Sequence, residues 1–135
     1  MSKHIPEILK DHILPFDWDV TKVWNLQGTV EMFSRARFDY LLDLPLWSSV
    51  PGKGMLFDIS PSTVIQNPAA SPHQAKRLAA ADTSYPLDFL LHHDRPWILD
   101  GVHRLAKLYI EQAEIIQVRF HSSESIATIA IEELR

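Results

Sequence analysis

The stretch Trp97-Ile98-Leu99-Asp100-Gly101-Val102-His103-Arg104-Leu105-Ala106-Lys107 runs from an apolar segment through Asp-Gly into a helical pattern. Residues 102, 105, 106 and 109 form one apolar face of a helix expected over 102–112, with His103, Lys107 and Glu111 on the other side. A strand that turns on Asp-Gly straight into a helix aims the free N–H groups of Val102, His103 and Arg104 at whatever lies ahead of the helix, which makes an anion site. Gly101 permits the tight turn and, lacking a Cβ, a close approach by phosphate. His103 and Arg104 add side-chain donors, and the planar fork of arginine can hold two phosphate oxygens. Asp100 has two readings: a cap accepting the N–H of residue 102 or 103, or a Mg²⁺ ligand or base beside the phosphate. An ordinary tight turn with solvated His103 and Arg104 accounts for the residue types equally well.

Upstream, the apolar runs Leu87–Leu91 and Trp97–Leu99, separated by His92-His93-Asp94-Arg95-Pro96, predict a hairpin. Downstream, Ile115–Phe120 reads as a strand and Ser125–Leu134 as a closing helix capped by Ser122, Ser123 or Ser125. Pro61 opens a short helix capped by Ser60 and ended by Pro68, and Ser71-Pro72 starts another running to Ala81 with Ala75, Leu78 and Ala79 inward. His73 and Arg77, four apart, share a different face and are candidates for the edge of the phosphate pocket. Asp82, in the loop before the hairpin, is a candidate catalytic group or simply a turn former with Ser84. Nearer the N-terminus the pattern predicts a helix over Ile5–Ile13, strands over Asp19–Leu26, Val30–Phe33 and Met55–Ile59, and a helix from Ser34 to Asp43 with Phe38, Leu41 and Leu42 buried. Mixed helices and strands with one hairpin define the α+β class, a small mixed β-sheet flanked by helices, and the 135 residues suit a single domain.

Composition narrows the function. No cysteine is present, which removes disulfides, thiolate metal sites and cysteine nucleophiles. Charged residues interrupt the first fourteen positions and no run nears the roughly 20 apolar residues of a membrane span, so a cytoplasmic protein is expected. A net charge of −4 argues against non-specific attraction to nucleic acid, and Arg35 with Arg37 reads as a solvated face. Gly52-Lys53-Gly54 lacks the Ser or Thr and the strand–helix context of a phosphate loop. His92 and His93, adjacent on a strand, point to opposite faces and do not suit one ion, so no metal site is assigned. The four tryptophans, with nothing basic interleaved, read as packing.

The segment Trp97–Lys107, followed by Ile115-Ile116-Gln117-Val118-Arg119, resembles the core of the ParB/sulfiredoxin-like superfamily: a strand, an Asp-Gly-x-His-Arg turn, a helix and an I-x-V strand. Ile59-Ser60-Pro61-Ser62-Thr63-Val64 is similar to that family's first element, and the resemblance covers roughly residues 56–121, with 1–55 an N-terminal extension packed on it. It implies a nucleotide (ATP, ADP or CTP), with or without Mg²⁺, or another phosphorylated small molecule, held by Gly101, Val102, His103 and Arg104. His73 and Arg77 would line the pocket, and Asp100, His103 and Asp82 would be the candidate catalytic groups. Val102 stands where sulfiredoxins have cysteine, which excludes that chemistry. Gln66-Asn67-Pro68 stands where the related free-serine kinases carry a glutamate base, leaving Asp58 or Asp82 as substitutes. Fifteen residues follow Phe120, too few for the helix-turn-helix domain of partition proteins, so no specific nucleic acid is expected. The resemblance thus implies an ATP-, ADP- or CTP-dependent phosphotransferase or hydrolase. The alternative is a non-catalytic regulatory or protein-interaction module that keeps the fold and uses a surface such as Leu44-Pro45-Leu46-Trp47 for homo-oligomerisation or a partner.

Overall fold

The computed structural model describes residues 5–52 and 56–131. Its centre is a four-stranded mixed sheet in the order β1 (Thr29–Ser34), β4 (Ile115–Ser122), β2 (Leu87–His92), β3 (Arg95–Asp100). The two outer pairs are antiparallel and the central β2–β4 pair is parallel. A parallel pair needs a crossover. Here β3 and the helix α4 (Val102–Ile110) supply it, which is why the Asp-Gly turn lies at the end of an edge strand. His93 and Asp94 both adopt positive φ, 54° and 60°, and close the β2–β3 hairpin in two residues.

Alternation along the strands loads both faces of the sheet. Leu87, Phe89, Ile98, Ile116 and Val118 join one buried cluster, over which pack α4, α2 (Pro61–Gln66), α3 (Pro72–Ala80) and the 3₁₀ segment Asp39–Asp43. Leu90 and Leu99 point to the other face and meet Leu14, Val23 and Ile129. There α1 (Val20–Trp24) and α5 (Ile126–Ile129) sit together, tied by Asp19 N–H donating to Ile129 O at 2.8 Å. Arg119 on β4 donates to Asp88 on β2 at 2.6 Å and to the carbonyls of Val23 and Leu26, so one side chain fastens α1 to the sheet. Residues before 53 enter both clusters, through Leu9, Ile13, Phe38 and Leu41 on one face and Leu14 and Val23 on the other.

Several expected elements differ. The strand expected over 19–26 is α1: Val20, Val23 and Trp24 recur at helical spacing, and the Asp19 carboxylate caps the turn by accepting the Thr21 N–H at 2.9 Å. The segment from Ser34 forms two 3₁₀ turns rather than one α-helix, without a side-chain cap from Ser34, although Phe38, Leu41 and Leu42 are buried as expected. Ile5–Ile13 narrows to a 3₁₀ turn at Glu7–Leu9. Of the strand expected over 55–59, a single bridge from Ile59 to Trp47 forms, and Met55 lies outside the described residues. The closing helix contracts to α5, with Leu134 also outside them. On α3 the inward residues are Gln74 and Leu78, while Ala79 is exposed. Tyr109 is likewise exposed, under the Arg35 guanidinium.

Candidate functional site

The start of α4 opens onto a cleft of about 510 Å³. Gly101, Val102 and His103 form one wall, His73, Gln74 and Arg77 of α3 another, and Trp47, Ser48 and the 50–52 loop a third, with Trp18 and Phe57 adding apolar surface. No side chain caps α4; Gly101 occupies the cap position, its carbonyl receiving the Leu105 N–H at 2.9 Å. The first amides of this nine-residue helix are thus left without a side-chain cap.

Gly101 is required by the turn. Its φ of +115° disfavours any L side chain, and a Cβ would lie 3.0 Å from Arg104 Nη2 and 3.1 Å from Leu87. The space a Cβ would take therefore belongs to the protein, which corrects the expectation that it admits phosphate.

Asp100 does not cap α4. Its Oδ2 accepts from Trp24 Nε1 at 2.8 Å and from Arg104 Nη2 at 3.1 Å. Arg104 also donates to Pro86 O at 3.1 Å, so its side chain turns away from the cleft and lines a second hollow of about 590 Å³ with Trp24, Asp82, Tyr85 and Arg119. Asp82 accepts from Ser84 N–H at 3.0 Å and Oγ at 2.6 Å, and that hydroxyl bond holds its carboxyl below the usual carboxylate range. The sequence-chosen residues thus divide: Asp100, Gly101, Val102, His103, His73 and Arg77 share the cleft, while Arg104 and Asp82 face the other hollow.

His103 is half-buried and neutral rather than a solvated cation. Its ring stacks on Trp47 at 4.3 Å with 12° between the planes, and Nε2 lies 2.6 Å from Gln74 Oε1. Burial, with the nearby charges of Arg77, His73 and Arg104, pushes its pKa down to about 3. Among the described residues, the lysine or arginine that lines the cleft is Arg77, which is exposed and makes no hydrogen bond or ion pair to another of them. Asp17 also lines the cleft.

Gln74 was not singled out from the sequence, although its signal was there. Residues 71, 74, 75 and 78 follow the i, i+3, i+4, i+7 spacing of an inward stripe, and Gln74 is the polar member within it. It is 2% exposed and joins the cleft walls, donating from Nε2 to Ser48 O at 2.8 Å. Ser71 caps α3 through its Oγ and donates to Ser49 O at 2.6 Å. Among the described residues, no group of three or more His, Asp or Glu is placed to hold a metal ion. The expectation that His92 and His93 point to opposite faces is corrected: His93 lies in the turn at φ 54°, past the end of β2, and the two rings lie with centroids 3.9 Å apart. Comparisons of the chain with family models, curated proteins and solved structures found no match.

Proposed function

We propose that this chain is a nucleotide-binding domain of the ParB/sulfiredoxin-like kind, and that the cleft at the start of α4 is its ligand site. The observation that carries the reading is the convergence, in one cleft, of an uncapped helix N-terminus with an arginine that is unpaired among the described residues. Gly101–Val102 of α4 and Arg77 of α3 both line it. The helix end favours negative charge and the guanidinium matches phosphate oxygens, while Trp18, Phe57 and Val50 offer apolar surface to the rest of the ligand. Asp100 adds little net charge, since Arg104 is paired with it.

The reading favours binding over turnover. The Asp100 carboxylate accepts two hydrogen bonds from protein, His103 is too weak a base near neutral pH, and Asp82 lines a different hollow. Thermal denaturation of the full chain with ATP, ADP, CTP and GTP, each with and without Mg²⁺, tests the proposal. At least one nucleotide is expected to raise the Tm, and Arg77→Ala is expected to remove that rise while leaving the unliganded Tm unchanged. No rise with any of them overturns the reading.

A further inference from the structure

We infer that Gln74 fixes His103 as a neutral hydrogen-bond acceptor whose Nδ1 lone pair opens to the cleft, so that the cleft selects a ligand presenting a hydroxyl or N–H donor at that point. The direction of the chain of bonds follows from its last member. The Ser48 carbonyl can only accept, so the amide group 2.8 Å from it is the NH₂ of Gln74. Turning the amide over would set two carbonyl oxygens against each other in a buried site. Oε1 is therefore the atom 2.6 Å from His103 Nε2, and an oxygen of that kind requires the proton on Nε2.

With Nε2 protonated and the ring neutral, Nδ1 carries a lone pair. Arg104 Nε is the buried side-chain nitrogen or oxygen left without a partner among the described residues. Among the described residues His103 Nδ1 makes no hydrogen bond and is not among the buried atoms left without a partner, and His103 is one of the residues that line the cleft. The charged or titratable groups around the ring are His73 and Arg77 from α3, Arg104 and Asp100 at α4, and Asp17 across the cleft. The stack on Trp47 holds the plane of the ring.

The consequence is a division of labour within the cleft. An ionised phosphate oxygen facing Nδ1 would meet a lone pair, so phosphate belongs with Arg77 and the α4 amides, and a hydroxyl belongs with His103. The identity of that hydroxyl rests on the nucleotide reading, in which the ribose supplies it.

Long-range ¹H–¹⁵N spectra of the full chain at neutral pH, with His103 assigned by its loss in His103→Asn, test the ring directly. Nδ1 is expected as the pyridine-type nitrogen and Nε2 as the pyrrole-type; the reverse pattern, or a protonated ring, overturns the inference. In Gln74→Glu a carboxylate facing Nε2–H is expected to raise the His103 pKa, and an unmoved titration contradicts the positioning role of Gln74. Binding of ADP and 2′,3′-dideoxy-ADP then reads the ligand side. Wild type is expected to prefer ADP about tenfold, with the preference kept by His103→Asn, which retains an acceptor, and lost in His103→Phe, which retains only the stack. Equal affinity of wild type for both overturns the hydroxyl selection. If neither binds while the ring reads as assigned, the nucleotide reading fails and the acceptor assignment is upheld.

Discussion

Gly101 and His103 show how single residues shape the cleft. At φ +115°, with Leu87 Cα 3.1 Å from where a Cβ would stand, Gly101→Ala combines backbone strain with a clash against a strand. It is expected to cost about 1–3 kcal/mol, read as a lower urea midpoint. His103 gives the molecule a pH dependence. Its folded pKa is about 3, below the ordinary value of 6.5, so the unfolded chain takes up its proton first as pH falls. The stability associated with the neutral ring is full above pH 6.5 and is lost progressively from there down to about 3, with a slope of up to about 1.4 kcal/mol per pH unit. Denaturant titrations at pH 7 and 5 check this. His103→Asn is expected to flatten the fall, and an equally steep fall in that variant contradicts the assignment. Asp19, Asp58 and Asp82, each held below the usual range first by a neighbouring hydroxyl, keep their contribution to stability above pH 3.8 and lose it only as pH falls below that value.

At the scale of elements, the join between α3 and the loop ahead of it sets the cleft's third wall. Ser71 is 1% exposed and serves two partners, the Gln74 N–H at 3.3 Å and the Ser49 carbonyl at 2.6 Å. Ser71→Ala is expected to destabilise by about 1–2 kcal/mol and to speed amide hydrogen exchange at residues 49–52; unchanged exchange there would mean that the loop is held by other contacts. The same elements show what the sequence could reveal. Ser60-Pro61 and Ser71-Pro72 name their helices by local chemistry alone, with Ser as cap and Pro in the first turn, and both helices start there. The hairpin, β4 and the start of α4 were also legible, because their signals lie within a few residues. Asp19–Leu26 misled because Val and Thr suggest a strand while the cap and the Val20, Val23, Trp24 spacing determine a helix. Which side of α4 each functional residue serves was not legible. Arg104 turns to Asp100 and Pro86, and His103 to Gln74 and Trp47, through contacts 18 to 56 positions away in all but one case.

For the whole molecule, the mixed sheet explains why a candidate ligand site lies where it does. The parallel β2–β4 pair requires a crossover, the crossover ends in α4, and the N-terminal half supplies Trp18 and the loop bearing Trp47 that close the space in front of it. Two arginines near the turn separate the structural from the binding role. Arg104, paired and only 16% exposed in its side chain, belongs to the fold, so Arg104→Ala is expected to lower the Tm with or without ligand. Arg77, exposed on the cleft, is the residue proposed to meet the ligand. The measurement that tests the central claim most directly is the Tm of wild type and Arg77→Ala across the nucleotide panel. The claim predicts a nucleotide-dependent rise in wild type that Arg77→Ala loses from an unchanged baseline; a panel in which no nucleotide moves the wild-type Tm, or in which Arg77→Ala responds as wild type does, contradicts it.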